Sequence, residues 1–197
     1  MGASPELVSP KTALRTRLLA SRAARSPVER SAAARALCAH LRPRLVEAAG
    51  TVAGYVPAAE EPGAGELVGA LGAGALLPVV PPTGRVLAWA RATGELAPGR
   101  FGLLEPVGPR LPPEALATAS LVVVPALAVG RDGSRLGRGA GFYDRALLHA
   151  APDAVLVGVV FDEELLPSVP TQPHDVRLHA VVTPSRGWLD LGVAAHP

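Results

Sequence analysis

Two stretches near the start of the chain place apolar residues on one helical face, and each begins with a serine followed by a proline. Serine caps the free N–H groups of a first helical turn, and proline is well tolerated at the first helical position. The pattern predicts a helix behind Ser9, at Pro10–Ala24, and a second behind Ser26, at residues 27–41. The second helix is expected to stop before Pro43, because proline has no N–H to continue the ladder.

Further along, short β-like runs alternate with short helical ones. The predicted strands are residues 51–56, 75–80, 85–91, 121–124, 154–160 and 180–183. The predicted helices are residues 66–71, 113–117 and 142–149, and the Gly/Pro-rich residues 93–113 are expected to be irregular. Several strands are apolar throughout, which is typical of strands covered on both faces. The alternation predicts an α/β fold, with helices on both sides of a mostly parallel sheet, in a single domain over residues 1–197.

In open parallel sheets, ligands bind beyond the carboxyl ends of the strands. The loops after Val56, Val80, Val124 and Val160 are therefore expected to line one edge of the sheet. A binding site is predicted at that edge.

Composition narrows the classes of protein. Hydrophobic residues make up 49% and charged residues 18%, which suits a chain with a packed core. No apolar run approaches the ~20 residues that span a bilayer, and the start of the chain has no signal-peptide pattern. Cys38 is the only cysteine, so no intrachain disulfide is possible, and we interpret it as a packing residue. A cytoplasmic protein is the simplest expectation. A monomer is expected as well, although nothing in the sequence determines the oligomeric state.

The charge pattern argues against nucleic-acid binding. The formal net charge is only +2, and the arginines are spread along the chain without a basic block. Lys11 is the single lysine, and it shares a helical face with Arg15 at i, i+4 spacing. By itself this pair fits either a solvated helix face or an anion site.

The glycine-rich stretch after the apolar strand at 121–124 carries the clearest chemistry. Gly137, Gly139 and Gly141 alternate with other residues, and Arg135 and Arg138 stand among them. Alternating glycines let successive backbone N–H groups turn toward one anion, and guanidiniums add charge and forked donors. The stretch is neither a Walker A loop nor a dinucleotide-binding fingerprint.

Two interpretations of this stretch remain open on the residues alone. A glycine-rich strand-to-helix turn is the plainer one, and Gly72 and Gly74 form such a pair with no arginine nearby. The arginines, and the Tyr143-Asp144 pair at the start of a predicted helix, favour phosphate binding. Asp144 would be placed to hold a metal ion on the phosphates.

The string Arg-Leu-Gly-Arg-Gly-Ala-Gly-Phe-Tyr-Asp-Arg at residues 135–145 resembles the signature of the 5-formyltetrahydrofolate cyclo-ligase family, also called methenyltetrahydrofolate synthetase. Members carry Arg-Leu-Gly-x-Gly-x-Gly-Tyr-Tyr-Asp after a hydrophobic strand that ends in proline. Weaker matches extend from Lys11 to about Thr183. The resemblance implies a fold similar to sugar-phosphate isomerases and CoA transferases. It also implies ATP- and Mg²⁺-dependent cyclisation of 5-formyltetrahydrofolate to 5,10-methenyltetrahydrofolate, through an N5-iminium phosphate.

The same resemblance implies roles for individual residues. Lys11, Arg138 and Tyr143 would be catalytic, and Asp144 and Asp175 would hold Mg²⁺. The implied ATP-binding residues are Lys11, Arg15, Arg135, Leu136, Gly137, Arg138, Gly139, Ala140, Gly141, Phe142 and Tyr143. The implied folate-binding residues are Val56, Glu61, Phe101 and Tyr143. Without the resemblance, Glu61 fits a solvated loop acid and Phe101 fits a core residue.

The chain departs from the family pattern at several positions. Val129-Gly130 replaces the usual Phe-Asp, Ala140 and Phe142 replace other loop residues, and His179 stands where Asp is common. The role of His174 is open. We expect an active enzyme, since no phosphate-binding glycine or proposed metal-binding Asp is lost. Two other functions stay open: a fold-related isomerase or transferase acting on phosphorylated or CoA substrates, and a non-catalytic folate-binding regulator.

Overall fold

A computed structural model describes residues 9–172 and 175–193 of the chain. The α-helices are α1 (Pro10–Ala24), α2 (Pro27–Glu47), α3 (Leu67–Leu71) and α4 (Phe142–Ala146). The strands are β1 (Thr51–Ala53), β2 (Leu76–Val79), β3 (Ala88–Arg91), β4 (Leu96–Pro98), β5 (Leu104–Pro106), β6 (Ala119–Pro125), β7 (Ala128–Gly130), β8 (Arg135–Leu136), β9 (Val155–Val159), β10 (Leu165–Leu166), β11 (Ala180–Thr183) and β12 (Gly187–Asp190). Short 3-10 helices lie at Arg100–Gly102, Pro113–Thr118, Leu147–His149 and Asp162–Glu164.

Seven strands form the main sheet, in the order β12-β11-β9-β6-β1-β2-β3. The inner strands are parallel, and the two edge strands β3 and β12 run antiparallel to their neighbours. Most residues of the central strands β6 and β9 are apolar and buried, because both faces of these strands are covered. The predicted mostly parallel sheet is confirmed.

Alternate residues of the central strands enter two separate cores. Val123 and Val157 pack with Leu37 and Leu41 of α2 on one face of the sheet. Val122 and Val124 pack on the other face, against residues of α4 and the 3-10 helices. The three-layer arrangement is therefore confirmed.

Cys38 lies in the first of these cores. It is 4% exposed, which agrees with its interpretation as a packing residue. Burial raises the pKa of its thiol to about 11.

Helix α1 belongs to neither face of the main sheet. It covers a small sheet with the strand order β10-β7-β8, and Leu18 packs there with Leu127, Leu136 and Val169 in a third core. Ser9 caps the helix as predicted, accepting a hydrogen bond from the Thr12 N–H. This packing places the N-terminal half of α1 beside the loop that follows β8.

The expected end of α2 at Leu41 is wrong, because the helix continues through Pro43 to Glu47. Pro43 has no N–H to donate to the carbonyl of Ala39, four residues earlier. Both residues lie on the exposed face of the helix, where water can donate to that carbonyl instead. Leu45 packs partly against the core beyond the proline, which favours continuation.

Two other expectations need correction. The segment expected to be irregular contains the hairpin β4–β5, whose tip carries Phe101. The helix expected at 142–149 is α-helical only over Phe142–Ala146 and ends as a 3-10 turn.

His174, whose role the sequence leaves open, lies outside the described residues. Within the described ranges, none of the helices is long and apolar enough to cross a membrane.

Candidate functional site

A cleft of about 400 Å³ opens at the carboxyl ends of β1, β2 and β6. Its walls are the glycine-rich loop, the start of α1 and the β4–β5 hairpin. Every residue that the sequence suggested for ATP, folate or metal lines this one cleft. They are Lys11, Arg15, Val56, Glu61, Phe101, Arg135, Leu136, Gly137, Arg138, Gly139, Ala140, Gly141, Phe142, Tyr143, Asp144 and Asp175.

The glycine-rich loop adopts a backbone that side chains disfavour. Gly139 and Gly141 have φ values of +101° and +74°, in the left-handed region. The Arg15 Nε–H donates to the Gly137 carbonyl oxygen at 2.9 Å, so α1 is bonded directly to the loop. Helix α4 has only five residues, so its dipole is small. An anion here would be bound mainly by the N–H groups of the loop and by the nearby cations.

Each of three cations in the cleft faces a carboxylate. Lys11 Nζ lies 3.5 Å from Asp175 Oδ2. Arg135 forms an ion pair with Asp144. These contacts place both predicted metal-binding carboxylates beside cations proposed for phosphate binding.

The third pair, Arg138 with Glu61, crosses the cleft. Arg138 Nε lies 3.0 Å from Glu61 Oε1, and the other Glu61 carboxylate oxygen accepts the Ala58 N–H at 2.9 Å. The Glu61 side chain is only 12% exposed, so it is not a solvated loop acid. The contact joins the glycine-rich loop to the side of the cleft predicted to bind folate.

Arg135 is the most buried of these cations, with a side chain 7% exposed. Among the described residues, its buried Nε has no hydrogen-bond partner. A buried donor without a partner is costly.

Phe101 stands at the hairpin tip and is 72% exposed, which excludes the interpretation as a core residue. It has a φ of +58° and is the one non-glycine residue with positive φ in the described part of the chain. Its ring centroid lies 6.4 Å from that of Phe142, with the planes at 53°. An exposed ring held in a disfavoured backbone conformation at a cleft is typical of a ligand contact.

Tyr143 closes the inner end of the cleft. Its hydroxyl donates to the Gly54 carbonyl oxygen at 3.0 Å, just after β1. Burial, with a smaller contribution from Glu61, raises the pKa of Tyr143 well above its usual value. The hydroxyl therefore remains protonated and committed to a backbone carbonyl, which favours a positioning role over proton transfer.

Sequence reasoning missed Glu105, which lines the cleft and is nearly buried. Its Oε1 accepts the Val80 N–H at 2.9 Å, and Arg110 Nη2 lies 3.6 Å from its Oε2. Glu105 thus fastens the hairpin to the end of β2. The sequence gives little local signal for it, because the same Gly/Pro-rich segment also carries Glu95, Arg100 and Arg110.

The departure at Gly130 has a structural counterpart. A Cβ at Gly130 would lie 2.4 Å from Asp132 Oδ1 and 2.2 Å from Ser134 Oγ, so these side chains already fill that space. Asp132 in turn pairs with Arg177 at 3.2 Å. The departure at His179 is also accommodated, since its Nδ1 accepts the Leu156 N–H at 2.9 Å.

The loops after Val56, Val80 and Val124 line the cleft as expected, but the loop after Val160 does not. That loop forms the 3-10 turn Asp162–Glu164 and turns its last residue, Glu164, toward α1. The expectation that it would line the site is therefore wrong.

Comparison with known proteins gives consistent results. The model of the 5-formyltetrahydrofolate cyclo-ligase family matches residues 8–184. The 5-formyltetrahydrofolate cyclo-ligase of Mycolicibacterium smegmatis is 44% identical over 189 residues, covering 92% of this chain and 97% of that protein. The mouse 5-formyltetrahydrofolate cyclo-ligase is 35% identical over 75 residues, covering 35% of this chain and 37% of that protein.

Solved structures give a similar result for the fold. The 5,10-methenyltetrahydrofolate synthetase of Aquifex aeolicus superposes with a TM-score of 0.74 at 26% identity, covering 94% of this chain and 95% of that one. The synthetase of Mycoplasma pneumoniae superposes with a TM-score of 0.65 at 20% identity, covering 88% and 98%, which supports the fold alone.

Proposed function

Because this chain belongs to the 5-formyltetrahydrofolate cyclo-ligase family, we propose that it catalyses the ATP- and Mg²⁺-dependent cyclisation of 5-formyltetrahydrofolate to 5,10-methenyltetrahydrofolate, with release of ADP and phosphate. One observation carries the proposal. The residues suggested for phosphate and those suggested for the pterin line a single cleft. Such proximity is what transfer of a phosphoryl group between two bound substrates requires.

The chemistry explains the need for ATP. A formamide oxygen is a poor leaving group, so N10 cannot displace it directly. The formyl oxygen first attacks the γ-phosphorus and the bond to ADP breaks, which gives an N5-iminium phosphate. N10 then attacks the formyl carbon, the carbon–oxygen bond breaks with release of phosphate, and N10 loses its proton. The protein must align the substrates and balance the moving charge.

The cations around the glycine-rich loop suit that task. Lys11 and Arg15 approach it from α1, and Arg135 and Arg138 belong to the loop region itself. Guanidiniums bind phosphate oxygens through forked donors, whereas the ammonium of Lys11 acts as a compact charge. Arg135 is the most buried of the three cations that pair with a carboxylate, and it lines the cleft beside the loop.

The acidic residues fit a magnesium ion on the phosphates. The described residues contain no cluster of three or more potential ligands. Mg²⁺ on a nucleotide needs only one or two carboxylates, with phosphate oxygens and water completing its shell. Asp144 and Asp175 both line the cleft and supply the hard oxygen donors that this ion prefers. When bound, the ion would neutralise phosphate charge and help orient the γ-phosphate.

On the folate side, Glu61 supplies a nearly buried carboxylate that can accept hydrogen bonds from the N–H groups of a pterin ring. Phe101 supplies an exposed aromatic face for stacking. Tyr143 positions this end of the cleft through its bond to Gly54. Together these contacts would hold N5 and N10 of the folate near the glycine-rich loop.

The decisive experiment uses purified protein with MgATP and 5-formyltetrahydrofolate. We expect methenyltetrahydrofolate and ADP to form in equal amounts, with the methenyltetrahydrofolate measured by its absorbance. We expect no product when ATP is omitted. Turnover of a sugar phosphate or CoA ester without nucleotide would instead favour the fold-related alternative. Binding of folate with no ATP hydrolysis would favour a regulator.

A further inference from the structure

Arg22 and Glu164 form an ion pair that is almost completely shielded from solvent. Arg22 Nε donates to Glu164 Oε1 at 2.7 Å, and Nη2 donates to Oε2 at 2.8 Å. Arg22 is 1% exposed and Glu164 0% exposed. Glu164 Oε2 also accepts the Phe161 N–H at 2.9 Å, which holds the carboxylate in place.

A third contact connects this pair to the cleft. Arg22 Nη2 donates to the Ala126 carbonyl oxygen at 2.6 Å. Ala126 follows β6 and is one of the residues that line the cleft. The Arg22 fork therefore joins α1 to the floor of the site as well as to the turn after β9.

Arg22 also shares a helical face with the proposed phosphate-binding residues of α1. Lys11, Arg15, Leu18 and Arg22 follow one another at spacings of three and four residues, so they lie on one stripe. Leu18 is buried in the small third core, and Arg15 bonds the Gly137 carbonyl. The stripe thus has an anchored end at Arg22 and a cleft end at Lys11.

We propose that Arg22 and Glu164 are a positioning pair that sets the rotation and axial position of α1, so that Lys11 and Arg15 meet the nucleotide phosphates. The inference rests on the proposed use of ATP. Neither residue lines the cleft, so the pair acts through the helix and through Ala126.

The physics of buried ion pairs favours this role over a stabilising one. Burial disfavours the charged form of Arg22, but the hydrogen bond and charge of Glu164 outweigh burial and raise the pKa of Arg22. A buried pair recovers its desolvation cost only in a narrow geometry. It therefore contributes little net stability while fixing the relative placement of the segments that carry it.

The chain offers a matched control next to the pair. Arg25 and Glu163 also join the end of α1 to the turn after β9, but their side chains are 24% and 44% exposed. A partly exposed pair with one hydrogen bond contributes less to geometry and stability than a buried, forked pair. The same substitutions at neighbouring positions therefore separate the buried contact from general loss of charge.

The test compares Arg22→Met/Glu164→Gln with Arg25→Met/Glu163→Gln. For the buried pair we expect kcat/KM for ATP to fall roughly ten- to a hundredfold, because small displacements in a site are costly. Affinity for 5-formyltetrahydrofolate should change by less than about threefold, and the control should stay within about twofold of wild type in both. Wild-type kcat/KM for ATP in a folded buried-pair variant would overturn the proposal.

Two further variants remove ambiguity. Arg22→Lys keeps the buried charge but loses the fork, and it should show a smaller loss with the same selectivity for ATP; wild-type ATP kinetics in this variant would also count against the proposal, even if the double variant does not fold. In a Lys11→Met/Arg15→Met background, the loss from the buried-pair substitutions should shrink below about threefold, because the pair acts through these two residues. An undiminished loss there would contradict the proposal. Absence of ATP binding by the wild-type protein would refute the proposed function instead.

Discussion

Arg138 Nε lies 3.0 Å from Glu61 Oε1, so a cation proposed for phosphate binding and a carboxylate proposed for pterin binding are paired with each other. If a phosphate forms an ion pair with Arg138, Glu61 loses its counter-ion. The freed carboxylate then accepts hydrogen bonds from the pterin more readily. By linkage, folate binding would then favour nucleotide binding to the same extent.

Arg138→Gln should therefore have opposite effects on the two substrates. ATP binding should weaken, while the affinity for 5-formyltetrahydrofolate, measured by calorimetry without nucleotide, should rise about two- to fivefold. The gain is small because Arg138 is half-exposed. Arg145→Gln is the control, since Arg145 contacts only the Gly141 carbonyl among the hydrogen bonds and ion pairs of the described residues. Weaker folate binding by Arg138→Gln would contradict the coupling.

Lys11 is expected to resist replacement by arginine. Lys11→Ala should lower kcat/KM for ATP by roughly ten- to a thousandfold, the range for loss of one charged contact in a shielded site. Lys11→Arg should also lose activity, since a guanidinium differs from an ammonium in shape and needs more room beside Asp175. Full activity of Lys11→Arg in steady-state assays would mean that only charge matters there.

Asp144→Asn tests the proposed magnesium site. We expect turnover to be nearly abolished at all Mg²⁺ concentrations, because a carboxylate next to the phosphate loop is lost. The circular dichroism spectrum should be unchanged, which would show that the fold is intact. Asp153→Asn, at an exposed turn away from the cleft, should behave as wild type. Retention of the wild-type dependence of rate on Mg²⁺ would remove Asp144 from the metal site.

Tyr143→Phe should separate positioning from proton transfer. The pKa of Tyr143 is raised by burial, so its hydroxyl does not titrate in the ordinary range and donates to Gly54 throughout. We expect kcat/KM to fall by about tenfold or less, as for loss of one neutral hydrogen bond, with the alkaline limb of the pH profile unchanged. Loss of that limb in the variant would assign Tyr143 a role in proton transfer.

Asp162 links stability to acid pH. Burial opposes its ionisation, but hydrogen bonds from Ser185 and Thr183 outweigh this and lower its pKa below the usual 3.8. The stabilisation is therefore present above the usual pKa and is lost as pH falls through the lowered value. Asp162→Asn should lower the free energy of unfolding at neutral pH and flatten its decline in this acid range. Parallel curves from urea denaturation would exclude this contribution.

The glycine-rich loop was predictable because its information is local. Gly137, Gly139, Gly141 and their arginines stand within a few residues of one another, directly after an apolar strand. The alternation of elements likewise predicted the parallel sheet and its layers. These features depend on neighbouring residues or on simple periodicity.

The pairings inside the site were not predictable in this way. Arg22 is one arginine among several on an amphipathic helix, and only the folded chain brings it to Glu164. Glu105 shows the same limit, since its partner Val80 belongs to another strand end. The continuation of α2 through Pro43 also depended on the surface, where the unpaired carbonyl meets water.

The burial of Cys38 has a practical consequence for experiments on motion. The thiolate is the reactive form, and burial both shields this sulfur and raises its pKa to about 11. Maleimide reagents at neutral pH should therefore leave the wild-type protein unmodified. A cysteine introduced at the exposed Leu104 of the hairpin would be the sole reactive thiol, so a single fluorophore can report hairpin movement without removal of the native cysteine.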